Sequence, residues 1–362
     1  MPTFSCVGTK KKITFDFCFL LYTLMHMQNT QFLHTLEKIP KNTSLIIAVS
    51  GGVDSMVLLD LCLSSFTKSQ IYVVHINHSI RGSESDEDED FIANFCNRES
   101  IQFFTQKYDI PALAKQEKNS VEATARKYRY KFFEEVSRKI GGETLLLTAH
   151  HLDDRIETLI FNLVRGTTLD GLVALREQGT YISENQEPLR FYRPFFHISK
   201  KDILEYAKVR NIKYREDSTN SNDSYLRNHI RNNIMQNFAK INPEYRGSID
   251  AFMEYIGDLL YEQNTMTKFW LETQNEKSKK QFSKYENSQY IFSKKDFLKE
   301  SEFLQKQIFA FIYKEKNNSS HGLSRGLIDE LGRFIRDKNS YGTKEIKNFV
   351  IERRGEWIVV KN

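Results

Sequence analysis

The chain has 362 residues, 40% hydrophobic and 27% charged, enough for two domains with separate cores. That ordinary balance excludes a disordered or collagen-like protein, and a formal net charge of +5 permits a nucleic-acid partner without demanding one. Cys6, Cys18, Cys62 and Cys96 show no C-x-x-C spacing, which speaks against a zinc site, a redox pair or a disulfide framework and for a reducing cytoplasm.

Residues 1–26 place Lys10-Lys11-Lys12 ahead of an apolar run from Phe17 to Met25. Asp16 interrupts the pattern of a signal peptide, no small-residue cleavage site follows, and the stretch is too short to span a bilayer. We expect an upstream extension, with Met25 or Met27 opening the functional protein; a short amphipathic helix is the next choice. No membrane association is expected.

The run Ser44 to Val49 predicts a strand, and Met56 to Leu61 a helix. Between them lie Ser50-Gly51-Gly52-Val53-Asp54-Ser55. Two glycines let backbone N–H groups approach an anion, and the helix start adds positive potential, so the turn reads as a phosphate cradle. It lacks the Gly-Lys-Ser/Thr ending of a Walker loop and has Asp54 near the place of that lysine. A carboxylate so close to phosphate calls for a divalent cation between them, which points to Mg²⁺ held by Asp54. The plain alternative is an ordinary glycine turn. The six residues resemble the signature of the PP-loop family, ATP pyrophosphatases that split ATP into AMP and pyrophosphate.

Further strands are expected at Ile71 to Asn77, Ile101 to Tyr108 and Glu143 to His150, with helices over Asp86 to Glu99 and Val121 to Ile140. Alternation of this kind predicts an α/β class: a Rossmann-like, mostly parallel sheet covered on both faces. Ligands then gather at the carboxyl ends of the strands, where the glycine turn, His78 to Arg81 and His150 to Asp154 should converge. The acidic run Glu84 to Asp90 reads as a carboxylate-rich first helical turn rather than a metal site.

Three constellations narrow the chemistry. His150, Asp154, Glu157 and Thr158 recur at spacings of three and four, sharing one face of a helix that could hold Mg²⁺, receive an amine or move a proton. Plain capping carboxylates with an incidental histidine are the alternative. Arg126 and Arg129 stand one turn apart on a basic, aromatic helix and could grip phosphate or a nucleic-acid backbone. Asp217 to Asn220 suits a turn, and Arg227 and Arg231 follow at a spacing where like charges repel unless an anion sits between them.

Past Asn242-Pro243 glycine becomes sparse, and Tyr245 to Lys316 reads as largely helical. A helix over Ser324 to Arg336 follows, then a small hairpin from Ile346 to Val360 turning near Gly355. The expected division is an extension at 1–26, a PP-loop domain at 27–240 and a mainly helical region at 241–362.

In order along residues 40 to 235, the glycine turn, Asn77-His78-Ser79-Ile80-Arg81, Ala125 to Tyr130, His150 to Thr158, Arg165-Gly166, Arg193-Pro194 and Asp217 to Arg231 resemble the tRNA(Ile)-lysidine synthase family. Arg155 departs from it, since the family often has glutamine or an apolar residue there; the position should face away from the acidic face. The C-terminal part resembles the family's tRNA-recognition region only loosely. The resemblance implies conversion of the wobble cytidine of an isoleucine tRNA with a CAU anticodon into lysidine, from ATP and free L-lysine. It implies ATP on Ser50, Gly51, Gly52, Val53, Asp54 and Ser55, and steadying of the phosphates by Asn220 and Arg231. His150, Asp154 and Glu157 would line the lysine pocket, with Arg126, Arg129 and Arg227 on phosphate or tRNA. A homodimer is compatible with the sequence. A PP-loop tRNA thiolase and a non-catalytic, nucleotide-regulated RNA-binding protein are the alternatives.

Overall fold

The computed structural model describes residues 32, 34–80, 82–182, 188–215, 228–279, 289–317 and 323–361. Those within 1–166 and 174–251 form one compact unit, and those within 167–173 and 252–362 form another.

In the first unit β1 (Ser44–Ala48) leads through the glycine turn into α1 (Val53–Ser65). Then come β2 (Ile71–Asn77), α2 (Ser83–Glu99), β3 (Gln102–Lys107), α3 (Ile110–Glu117) and α4 (Val121–Ile140). β4 (Thr144–Leu147), α5 (Leu152–Arg165), β5 (Gln178–Ile182), β6 (Pro188–Tyr192) and α6 (Lys200–Val209) follow. The sheet order is β3-β2-β1-β4-β6-β5, parallel throughout except for the β5–β6 edge.

The register Leu45↔Ile71 and Leu45↔Leu145 sets β1 between two apolar neighbours, and Leu45, Ile46 and Ile47 are wholly buried. One face packs Leu45 and Ile47 against α1 and α6; the other packs Ile46 and Leu146 against Phe132, Phe133 and Val136 of α4. A strand buried on both faces needs a continuous apolar run rather than alternation, which is what β1 carries. The chain runs β1 to β3 on one side of β1 and returns to β4 on the other. The carboxyl ends of β1 and β4 therefore flank a switch in strand order, where such sheets leave a crevice for ligands.

The acidic run on α2 is consumed structurally. Asp86 meets Lys107 and Asn77, Glu89 meets Thr105, and Glu87 and Asp88 hold Arg215.

The first unit also contains α7 (Met235–Ile241), and α8 (Tyr245–Lys279) begins there and continues into the second. The second unit adds β7 (Tyr290–Ser293), α9 (Lys294–Lys299), α10 (Glu302–Asn317) and α11 (Arg325–Arg336). It ends with β8 (Tyr341–Ile346), β9 (Phe349–Arg354) and β10 (Trp357–Lys361). The hairpin expected near Gly355 is present, with that glycine at φ +65°. Two further strands extend it into an antiparallel sheet ordered β7-β10-β9-β8. Phe292, Phe297, Phe309, Ile351 and Ile358 fill the core.

Candidate active site

The glycine turn is shaped by its own hydrogen bonds. Ser55 Oγ donates to the Gly52 carbonyl at 3.0 Å and accepts from the Ser50 N–H at 3.1 Å. Gly51 adopts φ +90°, a conformation that only glycine takes without strain. Its carbonyl accepts from the Arg215 N–H at 3.0 Å. Helix α1 starts at Val53, with Gly52 as a cap that offers no side chain, so the first N–H groups of the helix are left for an anion.

Asp54, in the first turn of α1, faces the start of α5. His151 caps α5: its Nδ1 accepts from the Asp154 N–H at 3.3 Å, while its own N–H donates to Asp154 Oδ2 at 3.0 Å. With Nδ1 used as an acceptor, the ring proton sits on Nε2. That nitrogen lies 3.9 Å from Asp54 Oδ1 and 3.6 Å from Asp154 Oδ2. The helix after the fourth strand thus stands against the glycine turn, as the switch in strand order requires.

His150 departs from expectation. It precedes α5 rather than riding on it, because His151 takes the cap and the helix opens at Leu152. The His150 Nδ1 lies 2.9 Å from Thr148 Oγ1 and accepts from Arg193 Nε at 3.4 Å. Burial, reinforced by Arg193 and Arg129 and opposed by Asp154, lowers its pKa to about 4, so it is neutral at pH 7. Burial alone would raise Asp154, but His151, His150, the His151 N–H and Arg231 together hold its carboxyl below the ordinary carboxylate range.

Glu157 is 4% exposed and receives Arg231 through two hydrogen bonds of 2.6 and 3.0 Å. Burial pushes its pKa up, with the arginine opposing. Arg231 stands in a π-helical turn, Ile230–Ile234, and also reaches Asp154 Oδ1 at 3.7 Å. The anion that meets this arginine is the Glu157 carboxylate.

The basic residues of α4 lie to one side, near the ends of β2 and β6. Arg129 Nη2 is 3.4 Å from His78 Nε2, and the Arg126 guanidinium lies 4.8 Å from the Tyr130 ring centre. Tyr130 stacks on Tyr181 at 4.1 Å, and Arg193 covers Phe191 at 4.5 Å. Burial and then Arg126 lower the pKa of Arg129, with Tyr130 and Glu122 opposing. Asn220, Arg227 and Arg81 lie outside the described residues.

Arg155 does face away from the acidic side. It is 1% exposed, stacked on Phe196 at 4.1 Å, and paired with Asp250 at 2.5 Å.

Sequence reasoning missed Lys200, His151 and Asp153. Lys200 Nζ contacts both Asp54 oxygens, at 2.6 and 2.8 Å, and its backbone N–H donates to Asp153 Oδ2 at 2.8 Å. Asp153 is held in turn by Arg246 at 2.8 Å. A signal was present: Ser199-Lys200-Lys201-Asp202 is a capping box, and it places Lys200 at the first position of a helix. Among the described residues, the thiols of Cys62 and Cys96 are both wholly buried. No described helix is long and apolar enough to cross a membrane.

Residues 24–238 match the PP-loop domain family. A tRNA(Ile)-lysidine synthase from Petrotoga mobilis is 35% identical over 245 residues, covering 66% of this chain and 73% of the relative. Those from Thermosipho africanus and Persephonella marina are 34% and 37% identical over 63% and 62% of this chain. Of these two relatives the match spans about half the length, 52% and 48%. Among solved structures, a U34-tRNA thiolase from Methanococcus maripaludis superposes with TM-score 0.53 and 20% identity, over 65% of this chain and 80% of that one. At that identity the likeness shows the fold alone.

Proposed function

The chain belongs to the PP-loop domain family and, within it, to the tRNA(Ile)-lysidine synthases; we propose that it uses ATP to join free lysine to the wobble cytidine of an isoleucine tRNA. In this reading the anticodon is CAU. The cytidine carbonyl oxygen attacks the α-phosphorus of ATP and pyrophosphate leaves. The ε-amine of lysine then attacks carbon 2, and AMP departs. The wobble base has to leave its stack to reach the rim of the sheet.

The observation that carries the reading is the pair of carboxylates, Asp54 and Asp154, both close to His151 Nε2, at 3.9 and 3.6 Å. One stands beside the phosphate cradle and the other at the start of α5, so a nucleotide and an amine can be held next to each other. The glycine turn and the first N–H groups of α1 would bind the triphosphate. Asp54 offers hard oxygen donors of the kind Mg²⁺ prefers, and the phosphates would supply more. When bound there, the ion neutralises charge on the departing pyrophosphate.

Asp154, held ionised, would bind the ammonium of lysine. It is a weak base toward that group, since its carboxyl is held below the ordinary carboxylate range while an ammonium titrates far above it. The proton therefore moves as the nitrogen attacks and loses basicity, with the carboxylate already in place to take it. Neutral His150, with Nδ1 accepting from Arg193, would offer its Nε2–H as a donor without adding positive charge. Arg231 and Asn220 would steady the phosphates, and Arg126, Arg129 and Arg227 would contact tRNA or phosphate.

Many cations of the second unit are already paired inside it, Lys306 with Glu302, Lys344 with Glu330 and Lys361 with Glu352 among them. Its share in holding tRNA would then rest on shape and exposed rings more than on a row of free lysines.

The test is to incubate the purified protein with ATP, radiolabelled lysine and unmodified isoleucine tRNA. Lysine incorporated with stoichiometric AMP supports the reading. Sulfur transfer from a supplied donor, or nucleotide and RNA binding without turnover, would replace it.

A further inference from the structure

The carboxylate of Asp54 is already paired within the chain. Lys200 contacts both of its oxygens, at 2.6 and 2.8 Å. A small divalent ion ligated by either oxygen would sit about 2.1 Å from it. An ammonium within hydrogen-bond distance of the same two atoms would then press against that ion with little water between them. With the ammonium lying across both oxygens, an ion ligated by Asp54 has to push Lys200 off at least one of them.

Lys200 has a fixed root and a mobile head. Its backbone N–H is bound by Asp153, which is clamped by Arg246, and Ser199 caps the helix beneath it by accepting from the Asp202 N–H at 3.2 Å. The four-carbon stem turns freely, and the side chain is 35% exposed. The anions that would arrive together with a metal ion are the phosphates of a nucleotide, and the glycine turn that would receive them ends at the residue before Val53, the start of the helix that carries Asp54.

We propose that Lys200 is a placeholder cation. It neutralises Asp54 while the site is without nucleotide, and it transfers to the phosphates when a metal-bound nucleotide takes the carboxylate. Metal and nucleotide then bind together, because each supplies what the other displaces: the ion needs Asp54 vacated, and the vacated lysine needs an anion. The free ion is kept out until the substrate brings it. This rests on the PP-loop reading of the glycine turn and not on the lysine-transfer step.

The full-length protein can be titrated with Mn²⁺, followed by electron paramagnetic resonance, without nucleotide and with a non-hydrolysable ATP analogue. The wild type should bind Mn²⁺ at least about tenfold more tightly when the analogue is present. Lys200→Met keeps the apolar stem and removes the charge. It should bind Mn²⁺ alone at least about tenfold more tightly than wild type, and the analogue about tenfold more weakly. Lys200→Arg should again exclude the ion. An unchanged Mn²⁺ affinity in Lys200→Met, an unchanged analogue affinity, or a Lys200→Arg protein that behaves like Lys200→Met would overturn the proposal. The Mn²⁺-only arm needs neither tRNA nor lysine, so it reports on Lys200 even where no lysine is incorporated.

Discussion

Arg231 grips Glu157 through two hydrogen bonds of 2.6 and 3.0 Å across 74 positions of sequence. The residue expected on phosphate and a residue expected on lysine are therefore joined to each other. A charge buried on α5 and a charge on the π-turn stabilise one another until a substrate rearranges them.

Removing the arginine should expose the cost of that burial. Arg231→Ala leaves Glu157 without the partner that opposes its upward shift, and should lower stability by about 1–3 kcal/mol at pH 8. A carboxyl whose folded pKa is raised stabilises the fold below its unfolded pKa and loses that contribution as pH rises through the folded one. The loss should consequently be smaller at pH 5.5 than at pH 8. Urea unfolding at the two pH values measures it; equal losses would show that Glu157 stays ionised throughout.

Asp154→Asn keeps the shape of the α5 start and removes the charge. Lysine KM should rise by roughly tenfold or more, while tRNA affinity and pyrophosphate release stay within about threefold. Steady-state kinetics with a separate pyrophosphate assay distinguishes the two steps. A parallel fall in tRNA affinity would make Asp154 an RNA contact.

Acid should weaken the fold through two histidines. His150 and His78 both have pKa values lowered to about 4, first by burial and then by neighbouring cations, Arg129 among them. Between pH 6.5 and 4 the unfolded chain takes up protons that the folded chain refuses, so stability falls as pH falls. The melting temperature should drop by roughly 5 °C or more across that window, and by less in His78→Gln/His150→Gln. Identical slopes would remove the histidines as the cause.

Gly51 and Gly52 should separate backbone strain from ligand access. Gly51 sits at φ +90°, so Gly51→Ala should cost about 1–3 kcal/mol of stability, although its Cβ would meet Ile92 only at an ordinary 3.7 Å. Gly52 has φ −71° and its nearest neighbour for an added Cβ is Ser50 Oγ at 3.5 Å. Gly52→Ala should leave the melting temperature almost unchanged and weaken ATP-analogue binding. Isothermal titration and thermal melts on both variants read the contrast.

The central sheet is legible because β1, β2 and β4 are short apolar runs flanked by turn signals, and helices separate them. The glycine turn is legible because its residue types are rare in combination. The β5–β6 edge is not: Gln178–Ile182 is half exposed and polar at alternate positions, so nothing marks it against a loop. β7 escapes notice as four residues inside a helical stretch. Lys200 looks like any surface lysine, since its meaning comes from a carboxylate 146 positions away. His150 was placed on α5 by spacing alone, which cannot tell which of two adjacent histidines ends the strand and which begins the helix. Glu157 and Arg231 were each seen, but their pairing depends on the π-turn, which periodicity does not announce.

The cap of α5 differs from most in one respect. Serine, threonine, asparagine and aspartate are usually exchanged at such a position with little harm, and a stabilisation programme would try them first. His151 occupies it with one ring nitrogen and sets the other 3.9 Å from Asp54 Oδ1 and 3.6 Å from Asp154 Oδ2. A replacement chosen for helix propensity would keep the helix capped and remove the imidazole that stands near both acids. A screen that scores melting alone would not register that loss.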